Sequence, residues 1–215
     1  MRTVLAVLLL AAQAAAADGA PATSGFEAAF RFGVMFPAGG ASKYEKLSDY
    51  AGLSYPIWGD IGYRFGGKFF VGASAFYAFG SLGEYYRFVC GDEGLSCSTY
   101  EVRVGAEAQF HPLGRALIDP WVGLGFGYEW LSTKFSAATY SFTKTRQGWD
   151  FLQLQGGVDF ALGSAFWLGP FVAFSMGQYD KFGGSVDGQP GESVDIPNKA
   201  LHYWFVVGAK LTILP

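Results

Sequence analysis

The residues through which this chain could do chemistry are few: two histidines, two cysteines and a set of charges placed singly between apolar or small neighbours. His111 precedes Pro112 and His202 precedes Tyr203, and neither has a serine or cysteine at a spacing that would pair a nucleophile with its base. Cys90 and Cys97 lie in "CGDEGLSC", where a metal would need further ligands and neither histidine is near in sequence. A disulfide is therefore expected if the chain is exported, and no metal or cofactor is implied. The single charges are Glu27, Arg31, Asp60, Arg64, Glu101, Arg103, Glu107, Glu129, Asp159 and Lys210. These six acids and four bases could pair with one another or line an ion path, depending on which way they face.

Their direction follows from the elements that carry them. Residues 57–79 alternate: Ile57, Ile61, Tyr63, Phe65, Phe69, Val71 and Tyr77 fall in one set, and Asp60, Arg64, Gly72 and Ser74 in the other, about a turn at Gly66-Gly67. The same period of two recurs near 26–36, 100–110, 121–131, 150–162, 166–178 and 201–213. That makes eight antiparallel segments, each long enough for a membrane strand of about 9–11 residues. Connections alternate between short ("GGK", "HPLGRALIDP", "GSA") and long, polar ones such as "GGSVDGQPGESVDIPNK". Two different ends are implied. Ahead of the strands, Met1-Arg2, an apolar run and "AAQAAAADGAP" read as a signal peptide over 1–17. A short segment, 18–25, then leads into one domain, 26–214.

Side-chain size decides which face is wet. The apolar set is bulky, while the other is rich in glycine, alanine and serine with charges between. An eight-stranded barrel has an interior just wide enough for side chains, so the bulky set belongs outside against lipid. Tyr63, Phe65, Phe69, Tyr77, Phe79, Tyr100, Phe110, Tyr128, Trp130, Phe166 and Tyr203 fall near strand ends on that face, where interfacial girdles form. Composition agrees: 15% of residues are charged, against about 25% in ordinary soluble domains. The net charge of -3 without a basic cluster excludes a nucleic-acid partner. The expected fold is all-β, an eight-stranded antiparallel up-and-down transmembrane barrel with short periplasmic turns and long extracellular loops.

In these features the chain resembles the small eight-stranded outer-membrane barrels of Gram-negative bacteria, of the outer membrane protein W, X and A-domain type. The resemblance covers residues 26–214 and rests on leader, strand count, alternation and loop asymmetry. It implies residence in the outer membrane as a monomer, with lipid and lipopolysaccharide as neighbours. Some small barrels deacylate or acylate lipid A, but the His-x-Ser pattern of the deacylases is absent at both histidines, so no enzyme is expected. The ten charges are expected to form a polar network in the lumen. Strand direction puts Glu27, Arg64, Glu107, Asp159 and Lys210 toward the short turns, and Asp60, Glu101, Arg103 and Glu129 toward the long loops. A structural or surface-interaction role follows. The alternative is a narrow barrel passing small hydrophobic molecules, with inward Trp58, Trp149, Phe151 and Trp204 lining a pocket. Phe70, Phe76, Trp121, Trp167 and Phe171 are also expected to point inward and obstruct the bore.

Overall fold

The computed structural model describes residues 24–90 and 95–214; the leader at 1–17, and residues 18–23 of the segment after it, lie outside them. Eight long strands form a ring: β1 (Gly25–Ser42), β2 (Ala51–Phe65), β3 (Phe69–Leu82), β4 (Ser96–Phe110), β5 (Ile118–Ser136), β6 (Ser141–Ala161), β7 (Phe166–Val186) and β8 (Leu201–Ile213). Each pairs antiparallel with the next, and β8 returns to β1 with Phe30 opposite Leu211 and Phe36 opposite Phe205. Closure leaves no sheet edge, the condition for strands to cross hydrocarbon. Gly66 and Gly67 take φ of 55° and 70°, the left-handed pair that a tight β2–β3 hairpin requires.

The burial pattern is inverted relative to a water-soluble barrel. Phe26, Ile57, Ile61, Val122, Val172 and Val207 are each more than half exposed, whereas the charges of the opposite parity are almost completely buried. This exterior belongs against lipid. It is bounded by two aromatic belts. Tyr77 on Tyr100 and Tyr128 between Trp130 and Trp149 mark one end, and Phe26 on Tyr63 and Phe69 on Phe110 mark the other.

Three sequence expectations are corrected. Trp149 and Phe151 do not face the lumen; they are 49% and 50% exposed on the outer surface. A β-bulge at Phe151–Leu152 puts one extra residue in β6, so the parity read from Gln153 and Gln155 reverses before it. The reversal turns Asp150 inward. The connection after β5, expected from the sequence to be long like those after β1, β3 and β7, is not a long loop, because β5 and β6 continue as a paired ribbon to Ser136 and Ser141, and β7 extends beside them to Val186. Thr, Phe and Lys alternate there, and the first two are good strand formers. The third concerns Gly105, whose place among small and polar lumen residues in the sequence suggests that an added serine hydroxyl would be accommodated. A Cβ on Gly105 would come 2.3 Å from the Phe126 carbonyl oxygen, and Gly33 and Gly62 face similar backbone contacts. These glycines serve close strand approach and leave no spare room.

Loops close the extracellular end. Helix α1 (Glu84–Val89) puts Tyr86 edge-on to Tyr50 and Phe135. The Cys90–Cys97 disulfide joins the end of α1 to the start of β4. Leu47, Tyr50, Tyr86, Phe135, Tyr179 and Ile196 belong to the buried apolar cluster that continues into the upper bore.

Face assignment predicts a contrast within β4. Val104→Arg puts a charge against hydrocarbon and should cost about 2–4 kcal/mol near mid-membrane. Ala108→Leu, on the same exposed face, should insert like wild type. Gly105→Ser should fold poorly although serine is small and polar, because its Cβ meets backbone. The folded fraction in lipid vesicles, read by heat-modifiable gel mobility, separates the three. Folding of the wild type without lipid would overturn the assignment.

Candidate functional site

The bore holds a continuous charge network in three tiers. Nearest the short turns, Arg64 donates to Glu27 at 2.8 Å and to Asp119 at 3.2 Å, and Asp119 also bonds His111 Nδ1 at 2.9 Å. In the middle, Arg31 holds Asp60 and Glu107, each at 2.7 Å, and donates to Gln155. Its guanidinium lies 4.3 Å over the Trp58 ring. Lys210 links these tiers, donating to Asp159 at 3.1 Å and Gln109 at 3.0 Å, while its ammonium sits 4.0 Å over Trp121. Toward the loops, Arg103 holds three carboxylates: Glu101 at 2.6 Å, Asp150 at 2.8 Å and Glu129 at 3.1 Å. His202 bonds Glu129 and lies stacked under Tyr179.

Strand geometry explains these meetings. Arg103 and Glu129 are direct partners across β4 and β5, and Arg31 lies opposite Trp58 across β1 and β2. Gly177 stands opposite His202, and a Cβ there would come 2.8 Å from His202 Nε2 and 3.1 Å from Glu129 Oε1. Only a hydrogen at that position leaves room for the pair.

All ten charges expected in the lumen are buried. Asp60 and Glu107, sorted to opposite ends by strand direction, meet at one guanidinium, because tilted strands bring different heights along the chain to one level. Trp58 and Trp204 are buried inside, with Trp58 packed on Phe76 and Phe171. With Trp149 and Phe151 outside, the four-aromatic pocket is not assembled. Asp119, Asp150 and His111 join the network unforeseen. Asp119 shares parity with inward Trp121 and was legible on that signal; Asp150 was hidden by the bulge.

Above the apolar cluster lies an open cleft of about 1030 Å³ at the extracellular end. Its lining includes Tyr44, Glu45, Tyr50, Tyr85, Tyr86 and Arg146. Arg146 lies 3.6 Å over the Tyr50 ring and 3.4 Å from Glu45. Burial raises the Glu45 carboxyl, but the Tyr50 hydroxyl, the Arg146 charge and Ser42 outweigh it and hold Glu45 below the usual carboxylate value. Burial first, and then the Glu45 carboxylate, push the Tyr50 hydroxyl up, so it stays protonated as a donor.

No family model matches this chain, and no curated protein matches it. Solved structures do. Neisserial surface protein A is similar over 89% of this chain and 99% of its own, with a TM-score of 0.54 at 11% identity. A major outer membrane protein from Thermus thermophilus covers 87% of this chain and 99% of its own, with a TM-score of 0.52 at 13% identity. The outer membrane protein OprG from Pseudomonas aeruginosa covers 92% and 100%, with a TM-score of 0.50 at 15% identity. The fold is that of the small outer-membrane barrels.

The three-carboxylate tier makes Arg103 the most sensitive interior cation. Arg103→Met strands Glu101 and Asp150, leaves Glu129 with His202 alone, and should cost about 3–5 kcal/mol, the range for removing one partner of a buried ion pair. Lys210→Met, which frees one carboxylate, should cost less. Urea titration of folding in vesicles measures both; equal midpoints for Arg103→Met and wild type would refute the tier.

Proposed function

We propose that this outer-membrane barrel acts at its extracellular end, as a surface-interaction protein, with a lumen that serves structure and carries no current. The carrying observation is the packed bore. Each of eight inward carboxylates (Glu27, Asp60, Glu101, Glu107, Asp119, Glu129, Asp150 and Asp159) contacts one of four cations (Arg31, Arg64, Arg103 and Lys210). Trp58, Phe70, Phe76, Trp121, Phe171 and Trp204 are buried among them. An ion path would need charges free to exchange partners, and here each inward carboxylate is held by a cation. The reading also favours binding over catalysis. His111 bonds Asp119 and Gln109, His202 bonds Glu129, and neither meets a serine, threonine or cysteine among the described residues. A hydrolase would need such a contact.

The protein reconstituted in planar bilayers should remain electrically silent under applied voltage, with insertion verified by heat-modifiable mobility. Steady open-channel steps from wild type would overturn the closed-lumen reading. Silence in wild type with steps from Arg103→Met would support it directly, because loosening one tier would then open the path.

A further inference from the structure

We propose that Glu45 and Arg146 form an acid-released clasp that holds the β1–β2 connection against the β6 extension and so sets the shape of the extracellular cleft. This rests on the surface-interaction reading and adds regulation at the same end of the molecule. The two residues stand 101 positions apart in the chain. Arg146 Nη2 donates to Glu45 Oε2 at 3.4 Å, the Ser42 hydroxyl donates to the same oxygen at 3.0 Å, and the Tyr50 hydroxyl is a third donor. The guanidinium lies 3.6 Å over the Tyr50 ring and 5.3 Å from that of Phe182, and it donates to the Tyr86 hydroxyl. One cation thus gathers side chains from the β1–β2 connection, from α1 and from β7. Among the described residues this is the one ion pair of the extracellular loops; the others lie in the bore or beside the short turns.

The partners are unequally exposed, 43% of the Glu45 side chain against 11% of Arg146. A proton from the surrounding water can reach Glu45, whereas a guanidinium cannot shed its charge. Burial works to raise the Glu45 carboxyl, and the Tyr50, Arg146 and Ser42 contacts outweigh it and hold the group low. A carboxyl lowered in the folded state gives stability that is complete above its unfolded value and is lost as pH falls through the folded one. The clasp is therefore closed at neutral pH. In acid Glu45 becomes neutral, and Arg146 is left largely buried without its counter-ion, which is costly. No neighbour replaces Glu45. Asp49 accepts the backbone N–H of Lys46, Asp195 stands opposite Lys181 in register with β7, and Glu84 makes no ion pair among the described residues. Lys144, two residues along β6, leans on Phe135 and Phe142 and adds positive charge. The guanidinium then turns to the water of the cleft and leaves the Tyr50 ring. The remaining ties of the connection are backbone bonds, Lys43 N–H to the Asn198 carbonyl at 2.8 Å and Gly83 N–H to the Tyr50 carbonyl at 3.1 Å. Both run to neighbouring loops and neither to β6.

The test is amide hydrogen exchange of the full chain in lipid nanodiscs, read at Tyr50 and Gly83, whose N–H groups bond Leu47 and Tyr50. Wild type is compared with Glu45→Gln, Arg146→Met and the double variant. At pH 7 both single variants should exchange about three- to tenfold faster than wild type at these amides, the effect of one lost hydrogen bond. At pH 3, with chemical exchange rates divided out, wild type should match Glu45→Gln, because both then carry a neutral group at position 45. The double variant should exchange no faster than Arg146→Met, since the two residues act as one pair. Heat-modifiable mobility verifies that each variant is folded. Equal exchange of wild type and Glu45→Gln at pH 7, a gap between them that persists at pH 3, or simple addition of the two single effects would each overturn the proposal. Bilayer recording keeps the two readings apart: current through the wild type overturns the closed lumen whatever the exchange gives, and a silent barrel with unchanged exchange in Glu45→Gln overturns the clasp alone.

Discussion

The width of the bore governs this molecule. Eight strands leave an interior about as wide as the side chains that fill it, so a charge placed there cannot keep its hydration. It must be met by an opposite charge or a hydrogen-bond partner. This chain places more acids than bases inside, and the cations are shared accordingly. Arg31 and Arg64 each serve two carboxylates, Arg103 serves three, and Lys210 serves one carboxylate and one amide. The shared nodes are all arginines. A planar guanidinium offers five N–H groups in a fixed fork, while an ammonium is a compact point charge. Residue choice follows the number of acids to be held.

The same narrowness explains the glycines. Gly177 makes space for His202 and Glu129, and Gly105 lets β4 and β5 approach beside Gly127. In one place a missing side chain admits a polar contact, and in the other it admits backbone. Both reduce the cross-section that the network has to fill. The bulky residues excluded from the bore then cover the exterior, where hydrocarbon requires them. Interior pairing and exterior greasiness are two results of one packing limit.

Much of this was legible in the sequence because strand parity is local. Period two in each segment sufficed to sort Arg31 from Phe32 and Asp60 from Ile61, and the size of the apolar set decided its direction. Parity failed where one residue was added: the bulge at Phe151–Leu152 exchanged Trp149 for Asp150 inside the barrel. Height along the bore was less legible than face. Arg31 joins Asp60 to Glu107 because the strands tilt, and the tilt is a property of the closed ring that no single segment encodes. The extracellular cleft was not legible at all. Its lining comes from the region after β1, from α1, from the β6 and β7 extensions and from the segment before β8, brought together only by closure.

That origin separates the two ends in energetic terms. The lumen tiers and the lipid-facing belt are coupled through every strand, so a change at one node unsettles its neighbours. The cleft is built differently. Glu84 and Asp195 lie in the loops that cap the ring, and Tyr44 and Tyr85 are held by the connections after β1 and β3. The Cys90–Cys97 bridge ties α1 to the start of β4, fixing one wall of the cleft without a contact at membrane depth. Sites that share no partner contribute nearly additively. The rim can therefore carry whatever polar and aromatic groups recognition requires, while insertion and closure are decided below it by the paired charges of the bore.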